Sequence, residues 1–261
     1  MDETVNLMMV TYNRWPLTLQ TLDSIFNTVA CKYNLIIIDN GSTDDTVQEL
    51  ALLQGKIDAQ YETKDYPWLN SLIVKYNKEN KGIAYGRNQA LVEAAKLGGQ
   101  WLCTIDNDVL LPKNWLTECV DILKANKSFA SIGVNFEDAQ YPLVTKGGKE
   151  FQEKPQGNLG TACTVFNINI HKMLGFYKSY NLYGEEDSNY GMRMRVLGLK
   201  LGYIKEPGIH LGAGENDSGE YREWKTKCHN ENLAQFRKDC SDYFNRKIPL
   251  YIPFKEDPDA A

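Results

Sequence analysis

The sequence predicts an α/β domain in which helices cover both faces of a mostly parallel sheet, followed by a C-terminal helical extension. Strand-like apolar runs alternate along the chain with segments whose apolar residues have helical spacing. The run Leu35–Asp39 is apolar up to its last residue, which is typical of a parallel strand buried on both faces. With 261 residues, 43% of them hydrophobic, the chain can form one substantial core.

The alternation is clearest in the first half of the chain. Five segments have the composition of buried strands: Val5–Val10, Leu35–Asp39, Leu72–Tyr76, Trp101–Asp106 and Ala130–Val134. Helices are predicted between them, beginning near Pro16, after the capping residues of "NGSTDDT", and over Ile83–Leu97 and Trp115–Asn126. Two glycines follow the third of these helices, as is common at a helix end. Residues 55–70 are polar and are predicted to be irregular.

The regular alternation stops after Phe136. Residues 136–160 are predicted to be loop-like, with a hairpin turn in "TKGGKEF". Short strands and two helices are predicted beyond that point: strands at Ala162–Asn167, Leu201–Ile204 and Ile209–Leu211, and helices at Glu186–Leu197 and Tyr221–Phe244. The tail "RKIPLYIPF" contains two prolines, so it is predicted to pack irregularly against the body or a second subunit.

Composition and charge exclude several classes of protein. A net charge of -5 does not favour a nucleic-acid-binding surface, which normally carries a basic stripe. No apolar run is long enough to predict a transmembrane segment. The start "MDETVNLMMV" lacks the basic and long apolar parts of a signal peptide. The six cysteines are scattered without a C-x-x-C pair, so we expect reduced thiols and a cytoplasmic location.

Three polar clusters follow predicted strands. They are "TYNR" at 11–14, "DNGS" at 39–42 and "DND" at 106–108. Each cluster by itself reads as a helix cap or a turn, where such residues are common. Ligands of α/β sheets bind at the carboxyl ends of strands, however, and three clusters in one alternating unit favour a shared site.

The "DND" cluster is best explained by a bound cation. The carboxylates of Asp106 and Asp108 repel each other, and a divalent cation bridging them to a diphosphate removes that repulsion. An EF-hand is excluded because its glycine and terminal glutamate are not at the required positions. A dinucleotide-binding fold is disfavoured because "TYNRWP" follows the first strand in place of G-x-G-x-x-G.

Five segments in order resemble the motifs of the family 2 glycosyltransferases, which have the GT-A fold. They are "MMVTYNRWPLTLQTLDSI", "LIIIDNGSTDDT", "NKGIAYGRNQAL", "WLCTIDNDVLLPKNWL" and "YGEEDSNYGMRMRVLG". The resemblance covers about Val5 to His210. It implies a catalytic domain over 1–220, with a nucleotide-binding half at 1–110 and an acceptor-binding half at 111–220. Residues 221–261 are then a C-terminal extension.

The resemblance also implies a donor site for a nucleoside diphosphate sugar, typically UDP-linked. The implied donor residues are Thr11, Tyr12, Asn13, Arg14, Asp39, Gly82, Arg87, Asp106 and Asn107. Among them, Asp39 is expected to hydrogen-bond the base, and Arg87 to lie against the base or the diphosphate. The segment "GTAC", from Gly160 to Cys163, resembles the part that lines the sugar pocket.

A metal site and a catalytic base are implied in the same way. Asp106 and Asp108 match the D-x-D motif, and His210 matches a histidine near the metal, where an imidazole can complete a Mn²⁺ or Mg²⁺ shell. Asp187 matches the base, and Glu186 is an acceptor contact or an alternative base. Glycines 212, 214 and 219 suit a lid that excludes water.

Two further positions of the fifth motif can be compared with the family. Asn189 stands where the family often has a second acid, which weakens a role for a second carboxylate there. Arg193 matches an arginine on the helix that follows the base. An acid at the start of a helix is also favoured by the helix dipole alone, so Asp187 has a structural explanation beside its functional one.

These observations predict a metal-dependent inverting glycosyltransferase that moves a sugar from a nucleoside diphosphate to a glycan or another hydroxyl acceptor. One alternative is a nucleotidyltransferase acting on a sugar phosphate. The glycine-rich first loop with a basic residue that such enzymes use is missing here. The other alternative is a non-catalytic relative that binds a glycan or nucleotide, against which the intact D-x-D pair and Asp187 argue.

Overall fold

The computed structural model describes residues 4–59, 66–137, 139–160, 162–212 and 219–253. The strands in these ranges are β1 Val5–Thr11, β2 Tyr33–Asp39, β3 Leu69–Tyr76, β4 Trp101–Asp106, β5 Val109–Leu110, β6 Phe129–Gly133, β7 Leu143–Lys146, β8 Lys149–Lys154, β9 Cys163–Asn167, β10 Lys200–Tyr203 and β11 Ile209–His210. The helices are α1 Trp15–Thr28, α2 Thr46–Ala59, α3 Ile83–Leu97, α4 Trp115–Ala125, α5 Ile168–Leu174, α6 Glu186–Val196 and α7 Gly219–Phe244. Across the part of the chain described, no helix is both long and apolar enough to cross a membrane.

Nine strands form one twisted sheet in the order β3-β2-β1-β4-β9-β6-β10-β8-β7. The first four are parallel to one another, β9 runs antiparallel between β4 and β6, and the β7–β8 hairpin extends the far edge. Thr11 pairs with Asp39, and Val10 pairs with Asp106. The ends of β2, β1 and β4 therefore lie side by side, which is what brings the three polar clusters together.

The core lies on both faces of the sheet, because β1 alternates its side chains between them. Leu7 and Met9 pack with residues of α1, α2 and α4 on one face. Met8 and Val10 pack with residues of α3, α5 and α6 on the other. These four side chains are almost fully buried. The predicted layered α/β/α architecture with a mostly parallel sheet is confirmed.

Some element predictions are confirmed and others are wrong. The bounds of α3 and β4 agree with the prediction. The predicted irregular region 55–70 is wrong at both ends, because α2 continues to Ala59 and β3 begins at Leu69; residues 60–65 lie outside the described ranges. The loop-like stretch 136–160 contains the β7–β8 hairpin, whose turn is at Gly147 and Gly148 as "TKGGKEF" predicts.

The sequence analysis missed helix α5. It is seven residues long and begins directly after β9, where the Asn167 side chain accepts a hydrogen bond from the Asn169 backbone N–H. So short a segment has no readable periodicity. The tail packs beside its end: the Ile252 N–H donates to the Leu174 carbonyl, and Ile252 forms a β-bridge with Gly175. A Cβ on Gly175 would lie 2.0 Å from the Ile252 carbonyl oxygen, so this approach requires glycine.

Candidate active site

A cleft of about 460 Å³ opens at the carboxyl ends of β1 and β4. Its walls come from the loop after β2, the start of α3, the β4–β5 loop, the start of α6, β11 and the first turns of α7. Ten of the sequence-predicted site residues line it: Thr11, Tyr12, Arg14, Arg87, Asp106, Asn107, Asp108, Glu186, Asp187 and His210. Asn13, Asp39 and Gly82 lie outside the lining.

Asp106, Asp108 and His210 meet at one point of the cleft, with ligand atoms all within 4.8 Å of one another. Asp106 ends β4 and Asp108 precedes β5. The antiparallel pairing of β5 with β11 sets His210 opposite Val109 and so carries the imidazole to the carboxylates. Residues about 100 positions apart in the chain thus form one cluster because of a two-stranded pairing outside the main sheet.

The donor atoms of this cluster fit a divalent cation. His210 Nε2 lies 3.7 Å from Asp108 Oδ1, which is too long for a hydrogen bond but suits two ligands that each approach one ion to about 2.1 Å. Burial and the neighbouring Asp106 carboxylate raise the pKa of Asp108, so the pair is electrostatically unfavourable by itself. Two carboxylates and one imidazole are ligands that Mn²⁺ accepts, and carboxylates also suit Mg²⁺.

Arg87 connects the D-x-D motif to the "EED" motif. Its Nη2 donates to Asp106 Oδ1 at 2.9 Å, and its Nη1 donates to Glu186 Oε1 at 2.8 Å. Burial lowers the pKa of Arg87, but the Glu186 and Asp106 carboxylates outweigh burial and raise it above its ordinary value. Its guanidinium is therefore charged and its orientation is set by two carboxylates, whereas the sequence analysis placed it against the base or diphosphate.

The three acids of the "EED" motif have different surroundings. Glu185 has a left-handed backbone, with φ of 67°, and its side chain lies 2.6 Å from His229 Nδ1 on α7. Glu186 is buried and held by Arg87; burial raises the pKa of its carboxyl, which Arg87 opposes. Asp187 is half-buried on the cleft wall, and its Oδ1 accepts a hydrogen bond from the Ser188 N–H. Glu186 and Asp187 both line the cleft, and Asp187 is the more exposed of the two.

The loop after β1 contains Asn13, which holds the neighbouring loop, and Arg14, which brings a positive charge into the cleft. Asn13 and Arg14 have left-handed backbones, with φ of 54° and 64°. Asn13 holds the next loop, because its Oδ1 accepts from the Thr43 N–H and its own N–H donates to Ser42 Oγ. Arg14 turns into the cleft, where its Nη1 lies 3.4 Å from Asp108 Oδ2.

Asn40 of the "DNGS" cluster lines the cleft and Asp39 does not, although both side chains are buried. Asp39 is fully buried, and its Oδ2 accepts a hydrogen bond from the Ser42 N–H, which shapes the loop. The Asn40 Nδ2 donates to Asn80 Oδ1 at 2.9 Å and to the Gly82 carbonyl at 3.1 Å. Because side chains alternate along β2, Asn40 lies at the cleft when Asp39 does not. The motif alone did not show which of the two lines the cleft.

Helix α7 contributes cleft residues that the sequence analysis assigned to the extension at 221–261. Tyr221, Trp224 and Lys225 line the cleft together with Tyr183 from the loop before α6. The Tyr221 and Trp224 rings stack with centroids 5.6 Å apart, and Trp224 lies 5.6 Å from Tyr183. The aromatic residues in the otherwise charged "YREWK" are the sequence signal that could have identified them.

The other predicted positions have structural roles or fall outside the described ranges. Asn189 is buried and donates to the Tyr180 hydroxyl. Arg193 is buried and donates to three backbone carbonyls, of Leu174, Phe176 and Leu250, so it fastens the tail to α5.

The predicted sugar-pocket segment and lid are described only in part. Thr161 and Gly214 lie outside the described residues; Ala162 accepts a hydrogen bond from the Asp106 N–H. A Cβ on Gly212 would lie 2.1 Å from Asp108 Oδ2, so a side chain at this position would displace that carboxylate.

Residues 7–198 match the family model described as glycosyl transferase family 2, so the chain belongs to that family. Two curated relatives are similar to parts of it. An "uncharacterized glycosyltransferase" of Rickettsia bellii is 23% identical over 60% of this chain, and one named YfnE from Bacillus subtilis is 40% identical over 32% of it. These matches span only 19% and 17% of the two relatives' lengths.

Solved structures share the fold, at identities too low to show more than that. A mannosyltransferase, PcManGT of Pyrobaculum calidifontis, solved with GDP-Man and Mn²⁺, has a TM-score of 0.64 and 18% identity over 91% of this chain and 64% of its own. TarS of S. aureus, residues 1–349 with UDP, has a TM-score of 0.58 and 16% identity over 93% of this chain and 71% of its own. The first of them is named a mannosyltransferase, and the GT-A fold predicted from the sequence is confirmed.

Proposed function

We propose that this chain is an inverting glycosyltransferase that moves a sugar from a nucleoside diphosphate, UDP in the first instance, to a hydroxyl group of a glycan or another acceptor. The observation that carries this proposal is one cleft that combines the Asp106–Asp108–His210 cluster with the cleft-facing carboxylate of Asp187. Family membership supports it, and so do nucleotide-sugar ligands named for structures with the same fold.

Asp106, Asp108 and His210 are the residues that would hold Mn²⁺ or Mg²⁺. A bound divalent cation supplies positive charge for the diphosphate that departs from the sugar. Arg87 fixes the Asp106 carboxylate through a hydrogen bond of 2.9 Å, so this ligand is oriented before the cation binds. Thr11, Tyr12 and Asn107 also line the cleft and would contact the nucleotide.

Asp187 is the proposed base. In the transfer, the acceptor oxygen bonds to the anomeric carbon, the bond from that carbon to the donor phosphate breaks, and the acceptor proton passes to a carboxylate. Glu186 is poorly suited to that role because its Oε1 already accepts from Arg87 and its side chain is only 6% exposed. We assign Glu186 to holding Arg87 and Asp187 to the proton.

Transfer and donor binding are expected to require a divalent cation. A screen of UDP- and GDP-sugars with Mn²⁺, read by donor hydrolysis and by thermal shift, tests the proposed function. Chelation should abolish the signal and added Mn²⁺ or Mg²⁺ should restore it. Full activity in excess chelator, with metal removal verified by elemental analysis, contradicts the metal assignment. Release of pyrophosphate from a nucleoside triphosphate would instead identify a nucleotidyltransferase.

We assign the base contact to Asn40 in place of the predicted Asp39, because Asn40 lines the cleft and Asp39 does not, although both side chains are buried. Asn40→Ala is expected to weaken UDP binding by about 1–3 kcal/mol, the scale for leaving a hydrogen-bonding partner unmatched. Asp39→Asn should leave UDP affinity nearly unchanged in folded protein and lower stability instead. Calorimetric titration of UDP into both variants tests the assignment. If Asp39→Asn weakens UDP binding more than Asn40→Ala does, Asp39 is the base contact.

A further inference from the structure

The first turns of α7 place a lysine in the cleft. Lys225 lines it, whereas Lys227, two residues further along the same helix, has a side chain that is 75% exposed. Helix α7 begins at Gly219, beyond the stretch of 7–198 that matches the family model. A contact from Lys225 to a ligand is therefore a property of this chain that the family match does not assign.

Aromatic rings hold Lys225 in that position. Its Nζ lies 4.5 Å from the centroid of the Tyr221 ring and 5.5 Å from that of Tyr183. The guanidinium of Arg14 lies 5.3 Å from the same Tyr221 ring. Ring faces attract cations at these separations. Tyr221 thus gathers two cationic side chains, one from the β1–α1 loop and one from α7, at a single wall of the cleft.

Both cationic side chains line the cleft that contains the D-x-D carboxylates. Arg14 pairs directly with Asp108 at 3.4 Å. A divalent cation on Asp106 and Asp108 would neutralise these carboxylates. A diphosphate bound to that cation would lie in the same cleft as Arg14 and Lys225, and a diphosphate is the anion of the proposed donor.

We propose that Lys225, together with Arg14, binds the diphosphate of the nucleotide-sugar donor, an inference that rests on the proposed function. When the anomeric carbon–oxygen bond breaks, its electron pair stays on the phosphate oxygen, and the departing diphosphate gains one negative charge. The acceptor proton goes to Asp187, so charge is balanced. Cationic groups fixed beside the diphosphate stabilise that added charge more than they stabilise the bound donor.

Calorimetric titration of UDP and GDP in the presence of Mn²⁺ tests this assignment. Lys225→Met keeps the length of the side chain and removes its charge, and Lys227→Met is the matched control on the exposed side of α7. Lys225→Met is expected to raise the dissociation constant by about tenfold or more, the scale of one charge-assisted hydrogen bond. It should also reduce the dependence of affinity on salt, because one screened charge pair is lost. Lys227→Met should bind as the parent protein does.

The outcomes separate this inference from the function on which it rests. If the unaltered protein binds neither nucleotide with Mn²⁺, the proposed function fails and the lysine assignment fails with it. If the unaltered protein binds and Lys225→Met binds equally well, the function stands and the assignment is overturned. A variant that binds Mn²⁺ more tightly while nucleotide affinity is unchanged also overturns it, because Lys225 would then only compensate the charge of the carboxylates. Unfolding midpoints verify that all variants are folded.

Discussion

Asp187→Asn is expected to lower the rate of glycosyl transfer by roughly 10²–10⁴-fold, the usual contribution of a positioned general base. The amide has nearly the shape of the carboxylate but little basicity. Asp187 lies on the cleft wall at the start of α6, and its Oδ1 hydrogen bond to the Ser188 N–H can be kept by an amide oxygen. Donor and cation affinity should change little, because other residues provide those contacts.

Two matched variants make this result specific. Glu186→Gln keeps an oxygen that can accept from Arg87, so it should retain more transfer activity than Asp187→Asn. Asp108→Asn should weaken cation and donor binding together. Steady-state transfer rates and calorimetry measure both effects. If Asp187→Asn transfers at the parent rate and Glu186→Gln does not, Glu186 is the base. The anomeric configuration of the product, compared by NMR with that of the donor, tests inversion independently.

Arg87→Met is expected to destabilise the fold by about 3–5 kcal/mol, because it leaves the buried Glu186 carboxylate without its charged partner. The Arg87 and Glu186 side chains are each only 6% exposed, so solvent screens this pair little. Cation affinity should fall as well, since Asp106 loses the hydrogen bond that orients it. Urea unfolding followed by circular dichroism measures the stability change, and Mn²⁺ titration measures the affinity.

An exposed ion pair is the control for that measurement. Lys205→Met removes a pair with Glu150 in which both side chains are about half exposed, and it should change the unfolding midpoint little. In the double variant Arg87→Met with Glu186→Leu, no buried charge remains unpaired, so much of the lost stability should return. A single Arg87→Met variant as stable as the parent would show that the buried pair is not needed for the fold.

The sequence by itself determined the layered fold and the elements with strong local signals. Helix α3 has the predicted bounds because its periodicity is clear and two glycines follow it. Strand β4 has them because it is a continuous apolar run that ends at a carboxylate. The D-x-D pair was found because its two carboxylates are neighbours in the chain, and the "EED" motif was found because it resembles the family motif that holds the base. A short helix such as α5 was missed because one cap and seven residues give no period to read.

Only the tertiary structure decided which of these side chains meet. Sequence spacing cannot show that Arg87 bridges Asp106 and Glu186, because the partners lie 19 and 99 residues away and meet only after α3 has packed on β1 and β2. The position of Asn40 at the cleft depends on how β2 ends against β1, and a shift of one residue would change which side chain lines the cleft. The contribution of α7 depends on a long-range fold-back that carries Tyr221 and Lys225 over the ends of the first strands. Local patterns record burial and turns, whereas contacts across the sheet depend on the register and packing of the whole chain.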